Sequence, residues 1–149
     1  MLGAGADAGK RRGRRRGARV ASVCRHRGRA AASANPAIRR DACRLAHRGP
    51  EGAAILIDLL GDLNRDVCVE AACALGRMGR SEAVPLLKHT LRQAPSVHVI
   101  EAVAPVADEE WLVLLGRLVR VAPEDLAAAA RAALEAVEHP LAARLLERM

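Results

Sequence analysis

The chain reads as an all-α protein, a stack of about four antiparallel helical hairpins, and three observations predict it. The first is an internal repeat. Pro36–Leu60 aligns with Asp66–Leu91: Ala37, Ala42, Cys43, Leu45 and Gly49 fall on Val67, Ala72, Cys73, Leu75 and Gly79 at an offset of 30. After a one-residue insertion in the turn, Glu51, Ile55, Leu56 and Leu60 fall on Glu82, Leu86, Leu87 and Leu91 at an offset of 31. A fixed period of this size, with two helical patterns around a Gly turn, is the signature of an α-solenoid. The second is composition. Hydrophobic residues make up 51% of the 149, yet Phe and Tyr are absent and Trp111 is the sole aromatic residue. An Ala, Leu and Val core suits closely stacked helices better than a sheet, which favours aromatic and β-branched residues. The third is the separation of charge. Residues 1–50 hold fourteen Lys and Arg against two acids, a net of +12, whereas 51–149 hold ten against fifteen, a net of −5. The basicity belongs to the N-terminal third, so 1–34 is set apart as a disordered Arg-rich tail and 35–149 as the repeat domain.

Within 1–34 Gly, Ala and Arg recur without a sustained apolar stripe, too little to offset the entropy of ordering. Asn35-Pro36 then marks a helix start: an N-cap followed by Pro at the first helical position. Ile38, Ala42 and Leu45 form its stripe, and Gly49-Pro50 ends it. A second helix near Glu51–Leu60 carries Ile55, Leu56, Leu59 and Leu60. Asn64 caps the third, whose stripe is Val67, Ala71, Leu75 and Met78, with Gly79 as the stop. Ser81 is read as the cap of its partner, and Pro85 stands in the first turn, where a missing N–H costs least. Val84, Leu87 and Leu91 supply that stripe. Ser96 caps a helix with Val97, Ile100 and Val103, which Pro105 should kink or end early. Asp108 caps the next, with Glu109 and Glu110 at the positive end of its dipole. The last pair runs from Pro123 (Leu126, Ala130, Leu134, Val137) and from Pro140 (Leu141, Leu145, Leu146).

Cys24, Cys43, Cys68 and Cys73 show no CxxC pairing. Cys43 and Cys73 share one repeat position among alanines, where a free thiol serves as a small buried hydrophobe rather than a metal ligand or redox centre. No run approaches the roughly 18 apolar residues of a membrane span. Arg25, Arg27 and Arg29 interrupt the apolar stretch a secretory signal needs. The cytoplasm is therefore the expected compartment, with an Arg-rich mitochondrial presequence as the alternative reading of the tail.

The second unit, DVCVEAACALGRMGRSEAVPLLKHTL, resembles the short HEAT-like repeats of the bilin-lyase type that are widespread in bacterial proteins. The matching residues are Asp66-Val67, Ala71-Ala72, Ala74-Leu75-Gly76, Gly79 and Glu82-Ala83-Val84-Pro85-Leu86-Leu87. The resemblance extends more faintly over Asn35–Met149. It implies a right-handed stack of helix pairs whose second helices line a concave, protein-binding face. It implies no single chemistry, since fold-level analogy does not select one.

Two groups of residues are candidates for binding. Lys10, Arg11, Arg12, Arg14, Arg15, Arg16 and Arg19 form a dense run able to neutralise phosphates nonspecifically, without aromatics for base stacking. The plainer readings are a solubilising extension, or GC-rich codons upstream of the true start. On the second helices, repeat alignment puts Asp58, His89, Arg117 and Arg144 in one column, with Arg92 and Arg120 a turn further on and Lys88 beside His89. These define a basic strip for an acidic partner segment; the competing reading is a solvated face. Catalysis finds little support. Glu109 and Glu110 beside Trp111 are ordinary first-turn acids, and the five His form no HxxxH or HExxH pair. The expectation is a non-enzymatic interaction module or scaffold, without metal or cofactor, that holds a partner protein on its concave face. Its oligomeric state is left open. The alternatives are a nucleic-acid-associated protein acting through the tail, and a bilin lyase-like or other enzymatic subunit.

Overall fold

A computed structural model describes residues 28–49 and 51–149, and among these residues the secondary structure is helical with no strand. After a helical turn at Gly28–Ala31 come α1 (Pro36–Ala46), α2 (Gly52–Leu59), α3 (Arg65–Arg77), α4 (Val84–Gln93), α5 (Val97–Val103), α6 (Glu109–Val121), α7 (Glu124–Glu135) and α8 (Pro140–Glu147). Short 3-10 turns at Ser81–Ala83 and Ala104–Val106 lead into α4 and out of α5.

The boundaries follow from local chemistry. Asn35 Oδ1 accepts from Ala37 N–H at 2.9 Å, and Asn64 Oδ1 accepts from the N–H groups of Asp66 and Val67 at 3.0 and 3.3 Å. Ser96 Oγ accepts from Val99 N–H and Asp108 Oδ1 from Trp111 N–H. Each satisfies first-turn donors that no helical carbonyl can reach. Gly79 ends the second unit's first helix with φ 71°, a conformation that costs little only without a Cβ. Pro105 acts as expected: α5 stops at Val103 and the chain tightens into a 3-10 turn. Ser81 is not the cap of α4; it opens the 3-10 turn, and α4 starts after Ala83 without a side-chain cap. His139, which the pattern did not single out, caps α8 by accepting from Leu141 N–H on Nδ1 at 3.1 Å.

The core is one continuous cluster reaching from Cys43 to Ala142. α3 lies at its centre, against α1, α2, α4 and α5, and it is buried on nearly every side. The first helices of successive units pack in sequence, α1 on α3, α3 on α5 and α5 on α7. Repeat-equivalent residues share environments: Cys43 and Cys73 are fully buried, as are Leu56 and Leu87. Close approach of the helices needs small residues. A Cβ on Gly76 would stand 2.5 Å from the Ala102 carbonyl oxygen, so α3 and α5 meet nearly backbone to backbone.

Two findings differ from the sequence pattern. Ile38 and Leu45, assigned to the apolar stripe of α1, are 45% and 50% exposed. The equivalents on α3 are Cys68, whose Sγ donates to Asp62 O in the preceding connection, and the fully buried Leu75. These positions are thus half-buried and buried on α3, whereas on α1 both are exposed. Contact with the repeats also begins before Asn35: Ala31 packs against the core, and Arg39 Nη1 donates to Ser33 O at 2.8 Å and Ala34 O at 3.2 Å. Arg39 also forms a two-pronged pair with Asp62, at 2.7 and 2.9 Å, tying α1 to the α2–α3 connection.

Candidate partner-binding surface

The second helices carry the residues proposed for binding. Lys88, His89 and Arg92 lie on α4, Arg117 and Arg120 on α6, and Arg144 on α8. α4 and α6 are brought alongside each other by ionic contacts at the start of α6. Lys88 Nζ donates to Asp108 at 2.8 Å and to Glu110 at 2.7 Å, and Arg92 donates to the other oxygen of Glu110. Lys88 also lies 5.8 Å above the ring of Trp111, which is fully buried. Such a cation over an indole face adds to the ionic contacts. Burial pushes the Asp108 carboxyl up, but hydrogen bonds from Lys88 and from Trp111 N–H outweigh it and hold the group below its usual value.

The strip is therefore divided. Lys88 and Arg92 are engaged by acids of the same chain. His89, Arg117, Arg120 and Arg144 are exposed and have no ion-pair partner among the described residues. Asp58, the acidic member of the column, is exposed near the end of α2.

Beyond the ionic contacts α4 and α6 enclose a groove of about 350 Å³. Leu91, Pro95, Leu114, Leu118 and Val121 form its apolar walls, and Arg92 and Arg117 stand among them. Val121 is 70% exposed and Val113, one turn before Arg117, is also exposed. Arg117, unpaired among the described residues, can fix the orientation of an acidic residue while the walls take apolar side chains. The basic column drew attention to Arg92 and Arg117, but the apolar walls were missed. The signal was present: the apolar residues of Glu109–Val121 cover more of the helix than the roughly 100° stripe needed to face a core.

Of the residues considered for chemistry, Glu109 is exposed. Glu110 is held by Lys88 and Arg92, and Trp111 is packed away from solvent. Burial, reinforced by the nearby Glu70, pushes the Cys43 and Cys73 thiols up to about 12. Among the described residues no group of three or more His, Cys, Asp or Glu is placed to hold a metal ion, and no helix is long and apolar enough to cross a membrane. Lys10, Arg11, Arg12, Arg14, Arg15, Arg16 and Arg19 lie outside the described residues. Compared with known proteins, the chain matches no family model and no curated protein.

Proposed function

We propose that this chain is a non-enzymatic interaction module, a HEAT-like α-solenoid that holds an acidic, partly apolar segment of a partner protein between α4 and α6. The observation that carries the reading is the groove itself. Exposed Val121 and half-buried Leu114 and Leu118 line it on one helix, and Arg117 stands beside them. Apolar surface of this kind, rimmed by charge, is the usual character of a protein-binding patch. The sequential packing of α1, α3, α5 and α7 and the 30-residue repeat support the stacked-hairpin arrangement. The partner's acids meet Arg117 and Arg120, which have no ion-pair partner among the described residues.

The test is capture of a partner by the full chain, followed by the double variant Val121→Asp, Arg117→Glu. Both side chains are exposed, so circular dichroism should show an unchanged fold. Loss of the captured partner is expected. Retention by the folded variant, or by one with Arg92, Arg117 and Arg120 all reversed in charge, rules out this surface.

A further inference from the structure

A second cavity, of about 290 Å³, lies among α1, the start of α3 and the α4–α5 connection. Arg40 and Arg44 reach it from α1 and Arg65 from the first position of α3, while Asp66, Glu70 and Ser96 complete its polar wall. Three guanidiniums thus face two carboxylates. Glu70 is nearly buried and is paired with Arg44, whose Nε donates to it at 3.2 Å; His98 Nε2 lies 3.2 Å from the same oxygen without a hydrogen bond to it. Arg40 and Arg65 have no hydrogen-bond or ion-pair partner among the described residues, and Arg40 Nε is buried without any acceptor. A guanidinium N–H withdrawn from water and left without an acceptor is unfavourable and uncommon in folded proteins. Arg40 and Asp66 also line a smaller adjoining cavity of about 90 Å³. Ser96 accepts Val99 N–H on its oxygen and retains its own O–H as a donor.

We propose that this cavity is an oxyanion site, with Arg40 and Arg65 binding a phosphate or phosphomonoester group and Ser96 donating a further hydrogen bond. The guanidinium fork matches two oxygens of such a group, which a single ammonium does not. A volume near the lower end of small-molecule sites limits the ligand to phosphate or a small phosphorylated group. Asp66 opposes the anion and keeps the affinity moderate. This site is separate from the α4–α6 groove and does not depend on it.

Calorimetric titration of the full chain with inorganic phosphate at constant ionic strength should show one saturable site with Kd of about 1 mM or tighter. Arg40→Met and Arg65→Met should each weaken it by about 10- to 100-fold, Asp66→Asn should tighten it, and Arg131→Met on α7 should leave it unchanged. A parallel titration with phosphoserine separates the two sources of the group. Tighter binding than phosphate assigns the site to a phosphorylated side chain, and equal or weaker binding to free phosphate. The proposal is overturned if no saturable site appears. It is equally overturned if Arg131→Met weakens binding as much as Arg40→Met while circular dichroism shows all variants folded.

Discussion

Three glycines lie inside helices at contacts of graded tightness, and replacing each by Ala tests whether backbone proximity, rather than helix propensity, sets the spacing of the stack. In an open helix Gly→Ala stabilises by about 1 kcal/mol. At Gly76 the added Cβ would lie 2.5 Å from Ala102 O and 2.9 Å from Leu87 Cδ1. The leucine methyl can turn aside, but the carbonyl moves only with α5. Overpacking of this kind costs about 1–3 kcal/mol, so after the propensity gain Gly76→Ala should destabilise by up to about 2 kcal/mol. At Gly116 the nearest atoms are Leu145 Cδ1 and Cδ2, both at 3.3 Å and both at the end of a flexible side chain. Gly116→Ala should range from neutral to a gain of about 1 kcal/mol. At Gly52 the Cβ would overlap Ala46 O at 1.8 Å, and this first residue of α2 gains little from propensity. Gly52→Ala should be the worst, costing about 3 kcal/mol or more. Urea denaturation followed by circular dichroism and by emission of the buried Trp111 measures all three. If Gly76→Ala equals or exceeds wild-type stability, or Gly116→Ala costs more than Gly76→Ala, the close-approach reasoning fails.

Two further outcomes follow from the electrostatics. Asp62 is held below its usual value chiefly by the hydrogen bond from Arg39, helped by Asn64 N–H. Its stabilisation is therefore complete above the ordinary carboxylate pKa of about 3.9 and disappears as pH falls through the lowered folded value. Asp62→Asn should flatten the acid limb of a stability–pH curve measured by urea titration; an unchanged limb would show that the Arg39 pair contributes nothing there. The raised thiols of Cys43 and Cys73 predict that an alkylating reagent at pH 8 leaves both unmodified in native protein and modifies both in urea. Peptide mapping reads the result, and native labelling at Cys73 would contradict the burial.

The legible parts of this chain were those governed by local rules. Asn35, Asn64, Ser96 and Asp108 cap helices because a short polar side chain before an apolar stripe has few other uses. Pro105 ends α5 because its ring excludes the continuing helix. The repeat placed Cys43 and Cys73 correctly in the core because equivalent positions in equivalent units have equivalent neighbours. That logic breaks at the first unit. Ile38 and Leu45 carry the pattern of a covered face, and a pattern states what a face is suited to meet, not whether anything meets it. Side-chain pairing between units was not legible either. Nothing in the spacing of Lys88 and Arg92 announces that Asp108 and Glu110, some twenty residues away, will neutralise them. The apolar walls of the α4–α6 groove escaped for a related reason. Leu114 and Leu118 belong to the broad apolar run of Glu109–Val121, and only the neighbouring helices show that they pack against the core with one side left on the groove.

The break at Pro105 has a mechanical side. α5 and α6 share little contact with each other; α6 packs instead on α7 and α8, while α5 rests on α3 and α7. Within the one continuous core, α6–α8 are joined to α1–α5 by the α5–α7 contact and by the Lys88 and Arg92 ion pairs across α4 and α6. The groove lies at the second of these joins. A segment seated in it would strengthen that join, because ligand that binds only the joined form stabilises the joining by mass action. Amide protons of α6–α8 would then exchange more slowly with a partner bound, although α7 and α8 contribute no lining residue to the groove. Occupancy would be recorded in the rigidity of the whole stack.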